Sequence, residues 1–364
     1  MSNQLDDLDE VVGRLSTLGL VEWGAPRELG SALVDHLLST AAHEGLVCLL
    51  GAAADTGHIE LGPDDALRVR TAWGEVLARA VQLDCLLLEV CECLAAAGVA
   101  ARVLKGAAVA MLDELDPAWR SYNDVDVLVP SDQLLAAVDA LAVLGLRPIT
   151  FPVSRRWAGR FAKSLTLQHT SGAQVDLHRM LAAGPFGTRV RAASLFDDGH
   201  PLVVGGVELT ALSDPHRFLH ACYHAALGGV RGPRHRRDLL LLAATVPPVS
   251  LAAHVADGWS LTVVHAAMSW AGESPAGALP GEWSQWLDTQ PIDPADTALL
   301  PAPGDTFRDS ARAQLRAAGG PVAKVRYGAA LVWPTRAHLH DRGQTRRQHL
   351  LRLLRGGPRP GEAR

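Results

Sequence analysis

Cysteine is scarce in this sequence, and no apolar run approaches membrane length. Five cysteines (Cys48, Cys85, Cys91, Cys93 and Cys222) are spread over 364 residues. With no export signal ahead of them they do not form a disulfide framework. The densest apolar run, Leu239 to Val246, stops at Pro247-Pro248, well short of the ~18–20 residues a membrane span needs. The opening MSNQLDDLDEVVGRL is acidic, where a secretory signal would be basic and then apolar. These absences predict a cytoplasmic protein with reduced thiols and no membrane partner. Global disorder is excluded by 48% hydrophobic and 20% charged residues. The length predicts two or three packed units.

What is present is unevenly charged. From Arg308 to Arg364 there are 13 Lys/Arg against 3 acids, a net of +10, so the rest of the chain carries −15. A basic end of this kind meets nucleic acid, nucleotide phosphates or an acidic face of its own protein. The arginine-for-lysine bias runs with an Ala/Gly/Pro-rich composition, which weakens any reading of each arginine as a phosphate contact.

Periodicity divides the chain into three. Residues 1–98 read as helical, with a long helix opening at Pro63-Asp64 and stopping at Gly98. Residues 99–212 carry short strands: Ala101 to Lys105, Asp124 to Val129, a hairpin at 165–169 and 174–178, and a second hairpin at 201–209. Ser131 is placed to cap a helix running to Leu144. Residues 213–364 return to helix, opening at Ser213-Asp214-Pro215, with a last helix over 336–355 and a frayed tail from 356. The expected fold class is α/β (α+β): a core with a short mixed sheet, flanked by helical regions on both sides.

The chemistry concentrates in Asn123-Asp-Val-Asp-Val-Leu-Val129. Asp is disfavoured inside strands, yet two occur in this one. With a period of two, Asp124 and Asp126 share a face about 7 Å apart, while the valines turn to the other face. Carboxylates held that close raise each other's pKa unless a cation lies between them. Their hardness suits Mg²⁺ or Mn²⁺, which commonly arrive with phosphates. Asp176, in Val175-Asp-Leu-His178, has the same character and belongs beside the pair if its strand is adjacent. Three such carboxylates fit two-metal phosphoryl or nucleotidyl transfer. Upstream, Lys105-Gly106 ends a strand and opens a helix, 18 residues before Asp124. The glycine gives a phosphate access to free helix N–H groups, and Lys105 supplies a charge.

This combination resembles the nucleotidyltransferase superfamily of polymerase β-like fold, and more closely the bacterial uncharacterised nucleotidyltransferase family. The resembling segments are Leu104-Lys-Gly-Ala-Ala108, Arg120 ahead of Asp124 to Val129, Val175-Asp-Leu-His178, and His220/His224 before Arg237-Asp238-Leu239. The resemblance implies a nucleotidyltransferase core at 99–212. It implies metal binding by Asp124, Asp126 and Asp176, with Asp176 also as base toward an acceptor hydroxyl, and NTP contacts from Lys105, Gly106 and Arg120. The reaction implied is Mg²⁺-dependent transfer of an NMP from an NTP such as ATP, releasing pyrophosphate. The acceptor would be a hydroxyl or phosphate of a small molecule, peptide or protein, and some members accompany peptide natural-product biosynthesis. One departure is Ala107, where the wider superfamily has a serine after the glycine.

Other residues carry several readings. His178 shares the Asp176 face as ligand, proton carrier or packed histidine. His220 and His224, four apart, read as a packed or nucleotide-facing pair rather than a zinc site, because no Glu lies between them. Arg231, Arg234, Arg236 and Arg237 read as a phosphate channel or a solvated loop, with Asp238 anchoring Arg237. Trp157, Trp259, Trp270, Trp283, Trp286 and Trp333 read as core or groove packing rather than base-stacking platforms. Two rivals remain: a non-catalytic nucleotide-binding module of the same fold, and a nucleic-acid-directed enzyme using the basic end, disfavoured by the acidity elsewhere.

Overall fold

The computed structural model describes residues 2–149, 161–228, 231–273, 279–302, 307–318, 320–341 and 343–355. Trp157 and the tail from 356 lie outside the described residues. The N-terminal part holds α1 (Ser2–Leu15), α2 (Ser31–Glu44), α3 (Val47–Asp55) and the 34-residue α4 (Pro63–Ala96). It also contains two short strands that helical periodicity does not reveal, β1 (Arg27–Glu28) and β2 (Ile59–Glu60), paired in parallel. Pro63 stands in the first turn of α4 and Asp64 and Asp65 favour its N-terminal dipole. Gly98, at φ +70°, turns the chain out of the helix.

The middle part forms one mixed sheet. Its strands are β3 (Arg102–Val103), β4 (Asp124–Leu128), β5 (Arg147–Pro148), β6 (Ser164–Gln168), β7 (Gln174–His178), β8 (His200–Val204) and β9 (Val207–Ala211), in spatial order β5-β6-β7-β4-β3-β9-β8. Between β3 and β4 lies α5 (Lys105–Leu112), and after β4 comes α6 (Leu134–Leu141). Ser131 does not cap α6; its hydroxyl donates to the Arg179 carbonyl, and the helix starts three residues later. β4 and β7 run parallel, with Asp126 opposite Asp176 and Val127 opposite Leu177. β6 and β7 form the expected antiparallel hairpin.

Alternation along β4 and β7 assigns the two sheet faces. Val125, Val127, Val129, Val175 and Leu177 pack with Leu83 to Leu94 of α4 and with residues of α5 and α6. Each such aliphatic side chain contributes roughly 1.5–3 kcal/mol on burial. Leu104 and Leu128 point the other way, into a separate core with the C-terminal helices. That core is built on α9 (Asp214–Leu227), α10 (Pro233–Ala243), α11 (Leu261–Gly272) and α12 (Gly281–Thr289), following the short α7 (Gly184–Arg189) and α8 (Ser194–Asp197). Beyond α13 (Pro294–Thr297) come α14 (Phe307–Ala317), α15 (Pro321–Val332), α16 (Arg336–Asp341) and α17 (Arg346–Arg355). The single helix expected over 336–355 is thus two, broken around Gly343, whose φ is +56°. Trp259 and Trp283 are core residues, whereas Trp333 is 69% exposed. No single helix among the described residues is long and apolar enough to cross a membrane.

Three buried arginine–carboxylate pairs bind the C-terminal helices to the rest. Arg217 on α9 bonds both oxygens of Asp113, at 2.7 and 3.0 Å. Arg120 bonds both oxygens of Asp238 on α10. Arg237 bonds both oxygens of Glu114 and also donates to the Leu18 carbonyl at 2.8 Å. Asp238 therefore anchors Arg120 and not its neighbour Arg237: adjacent residues on a helix point about 100° apart and meet different partners. Glu114 and Arg237 are almost completely buried. Breaking this pair by Arg237→Met leaves an unpaired buried carboxylate and costs about 3–5 kcal/mol in urea unfolding. The double variant Glu114→Gln/Arg237→Met loses less, because no charge is stranded.

Candidate active site

The sheet face opposite α4 carries Asp124, Asp126, Asp176 and His178 under the C-terminal helices. Because β4 and β7 are parallel and in register, Asp126 and Asp176 are direct neighbours across the strands, and His178 faces Leu128 one step further on. Ligand atoms of Asp126, Asp176 and His178 all lie within 4.8 Å of one another, the one such group among the described residues. Asp124 stands outside that compact set. It lines the adjoining cavity with Lys105, Gly106 and Arg120.

Asp126 is the most constrained of the four. Its Oδ1 accepts from Lys105 Nζ at 2.7 Å and from His178 Nε2 at 2.7 Å, and the residue is 4% exposed. Burial works against the carboxylate, yet the His178 hydrogen bond and the Lys105 ammonium outweigh it and hold the group well below the usual carboxylate range. His178 is fully buried, and burial lowers its pKa, so it donates as a neutral imidazole. Its Nδ1 is buried with no hydrogen-bond partner among the described residues. Asp124 behaves oppositely: burial, then repulsion from Asp126 and Asp176, pushes it up to about 6.

The strand–helix junction at Lys105 is unusual in its backbone. Lys105 has φ +42°, the one non-glycine at positive φ among the described residues. Such a conformation costs of order 1 kcal/mol and persists only where surroundings enforce it. Gly106 is required for a specific reason: a Cβ there would lie 2.6 Å from Tyr122 Cβ. The Tyr122 hydroxyl in turn donates to Asp84 on α4 at 2.5 Å. Ala107, at the position of the superfamily serine, packs in the core with the valine face.

The cavity holds about 240 Å³. His220, His224 and His235 line it with Arg217 and Arg234. Burial and the Lys105 charge drive His220 and His224 well below the ordinary imidazole range, so both are neutral. The four arginines noted in the sequence separate. Arg234 faces the cavity, Arg231 and Arg236 lie over the Trp270 ring, and Arg237 is buried against Glu114.

One functional candidate escapes the sequence reading. Lys163, just before β6, sits among Lys105, Asp126, Asp176 and Asp124; burial and Lys105 lower its pKa. A lone lysine ahead of a strand carries no signal of this. Arg120, which the resemblance assigns to phosphate, lines the cavity and donates through both terminal nitrogens to Asp238, 118 residues away, while its Nε has no partner among the described residues.

Residues 31–251, more than half of the chain, match the model of the uncharacterised nucleotidyltransferase family, and the chain belongs to that family. No curated protein matches it. Among solved structures, the antibiotic-resistance factor ANT(2'')-Ia is similar at 13% identity, over 53% of this chain and 97% of that one, with a TM-score of 0.36. An antigenic nucleotidyltransferase-like protein from Paracoccidioides brasiliensis is similar at 13% identity, over 53% and 92%, with a TM-score of 0.32. The fold is a mixed α/β nucleotidyltransferase core with helices on both sides.

The raised pKa of Asp124 has a measurable sign. A carboxyl lifted in the folded state contributes stability that is present below the unfolded pKa of ~3.9 and is lost as pH rises through about 6. In metal-free protein Asp124→Asn therefore stabilises at pH 8, by on the order of 2 kcal/mol, and has little effect at pH 4. Urea unfolding at the two pH values checks it.

Proposed function

We propose that this protein transfers a nucleoside monophosphate from an NTP to a hydroxyl or phosphate of a small-molecule, peptide or protein acceptor, releasing pyrophosphate, with Mg²⁺ or Mn²⁺. The observation that supports this most is the pairing of Asp126 with Asp176 across two parallel strands, with His178 beside them. Hard carboxylate oxygens with one imidazole nitrogen suit a small divalent ion, and such an ion offsets both the burial and the repulsion from Asp126 and Asp176 that lift Asp124. Asp126 and Asp176 would hold it, with His178 and Asp124 adjoining.

When bound, a divalent ion makes the acceptor hydroxyl more acidic and offsets charge on the leaving pyrophosphate. The chain's own groups do the rest. A carboxylate oxygen of Asp176 takes the acceptor proton. His178 Nε2–H fixes the Asp126 carboxylate in one orientation. Lys105 opens α5 and lines the cavity with Gly106, so the N–H groups of that helix N-terminus are offered to phosphate oxygens. Arg120, held on Asp238 through both terminal nitrogens, adds positive field at the cavity wall. Burial of Asp126 and His178 keeps water from their shared hydrogen bond, which strengthens it.

The test uses α-labelled NTPs with Mg²⁺, a panel of acceptors and a pyrophosphate-release assay. Asp126→Asn and Asp176→Asn each reduce transfer by ~10³-fold or more, with circular dichroism unchanged. Chelation abolishes turnover, and added Mg²⁺ or Mn²⁺ restores it. Metal-dependent NTP binding without pyrophosphate release under any acceptor would leave a nucleotide-binding module instead. Unchanged turnover in Asp126→Asn would refute the assignment.

A further inference from the structure

Three arginines line the cavity beside Asp124: Arg120, Arg217 and Arg234. The first two are bonded through two nitrogens each to buried carboxylates, Asp238 and Asp113. Arg234 has no ion pair or side-chain hydrogen bond among the described residues. Asp238 and Asp124 are close enough to attract it, while Arg120 repels it, but the Asp238 oxygens already accept from Arg120. The side chain is nevertheless held in place. It lies against Gly45, which closes α2 at φ +71°, with Arg234 Nη1 only 3.2 Å from where a Cβ would stand.

The other basic groups on this wall are accounted for. His220 and His224 are kept neutral by burial, burial also lowers the pKa of His235, whose Nδ1 accepts from the Gly232 N–H, and Lys105 is bonded to Asp126. A largely buried guanidinium needs an acceptor for its fork of donors, and its geometry matches two oxygens of a carboxylate or phosphate. Within reach of the same cavity are Gly106 and the opening of α5. We propose that Arg234 grips the phosphate oxygens of the bound nucleotide, so that the arginine contacting phosphate comes from α10 and Arg120 serves to fix α10 in place. This rests on the nucleotidyl-transfer reading above and adds to it the residue that recognises the phosphate tail.

Titration of the full chain with Mg²⁺ and three probes, a non-hydrolysable NTP, inorganic pyrophosphate and a nucleoside, tests it. Arg234→Gln weakens the NTP analogue and pyrophosphate by about 10- to 100-fold and leaves nucleoside binding unchanged. Arg234→Lys keeps part of the affinity, since charge remains but the fork is gone. Arg231→Gln, on the exposed side over Trp270, binds all three as the wild type does. If the glutamine variant does not fold, Arg234→Met, which leaves no unpaired polar group in the wall, carries the same comparison. A folded variant with wild-type affinity for the analogue and pyrophosphate, or one that loses nucleoside equally, overturns the role of Arg234 alone. A wild-type protein that binds neither phosphate probe overturns the nucleotidyl-transfer reading together with this inference.

Discussion

Everything in the candidate site depends on keeping Asp126 ionised in a place where water cannot help it. The carboxylate is buried on a central strand, and desolvation by itself favours its protonated form. Lys105 Nζ and His178 Nε2 both reach the same oxygen at 2.7 Å and reverse that tendency. The requirement propagates outward. Lys105 must leave the end of β3 at a positive φ to aim inward. Gly106 must have no side chain because Tyr122 fills that space, and Tyr122 is tied through Asp84 to the long helix behind the sheet. One buried negative charge thus couples a strand, a turn and a helix.

The same electrostatics explain why the neighbouring carboxylates differ. Asp124 and Asp126 share a strand face two residues apart, yet one is pushed up to about 6 and the other held far below its ordinary range. Asp126 has two donors, whereas Asp124 has burial and two like charges. A site with one firmly ionised carboxylate and one that resists ionisation is arranged to receive positive charge. The wall facing it is lined by histidines that burial keeps neutral and by arginines that are mostly paired, so the cavity is polar without a large standing charge.

The C-terminal helices owe their position to charge pairs as well as to apolar packing. Leu104 and Leu128 extend the sheet's second face into their core, but that surface is interrupted by the acids. Arg120–Asp238, Arg217–Asp113 and Arg237–Glu114 bridge the interrupted region. Buried pairs of this kind add little net stability over an apolar contact, but they fix geometry, because a misplaced helix would strand charges. The cavity survives between sheet and helices because its two sides are pinned apart at defined points.

Local pattern alone carried much of this. The alternation of Asp124 to Val129 determined which side chains face the core, since a strand offers only two faces; the hairpin at β6–β7 followed from its turn residues; and Pro63 and Gly98 marked the long helix. Asp124, Asp126, Asp176, Lys105 and Gly106 were legible as candidates because acids inside an apolar strand, and a glycine at a strand–helix junction, conflict with local preference unless something else is gained. Tertiary structure alone decided that β4 and β7 lie parallel and in register, which puts Asp176 against Asp126 and leaves Asp124 at the cavity. It also decided which arginine has a partner: Arg120 and Arg234 look alike as sequence, and only the fold brings Asp238 to the first and leaves the second facing open space. Periodicity reports the face a residue takes within its own element, whereas ion pairing is settled by segments more than a hundred residues apart, whose meeting no local pattern encodes.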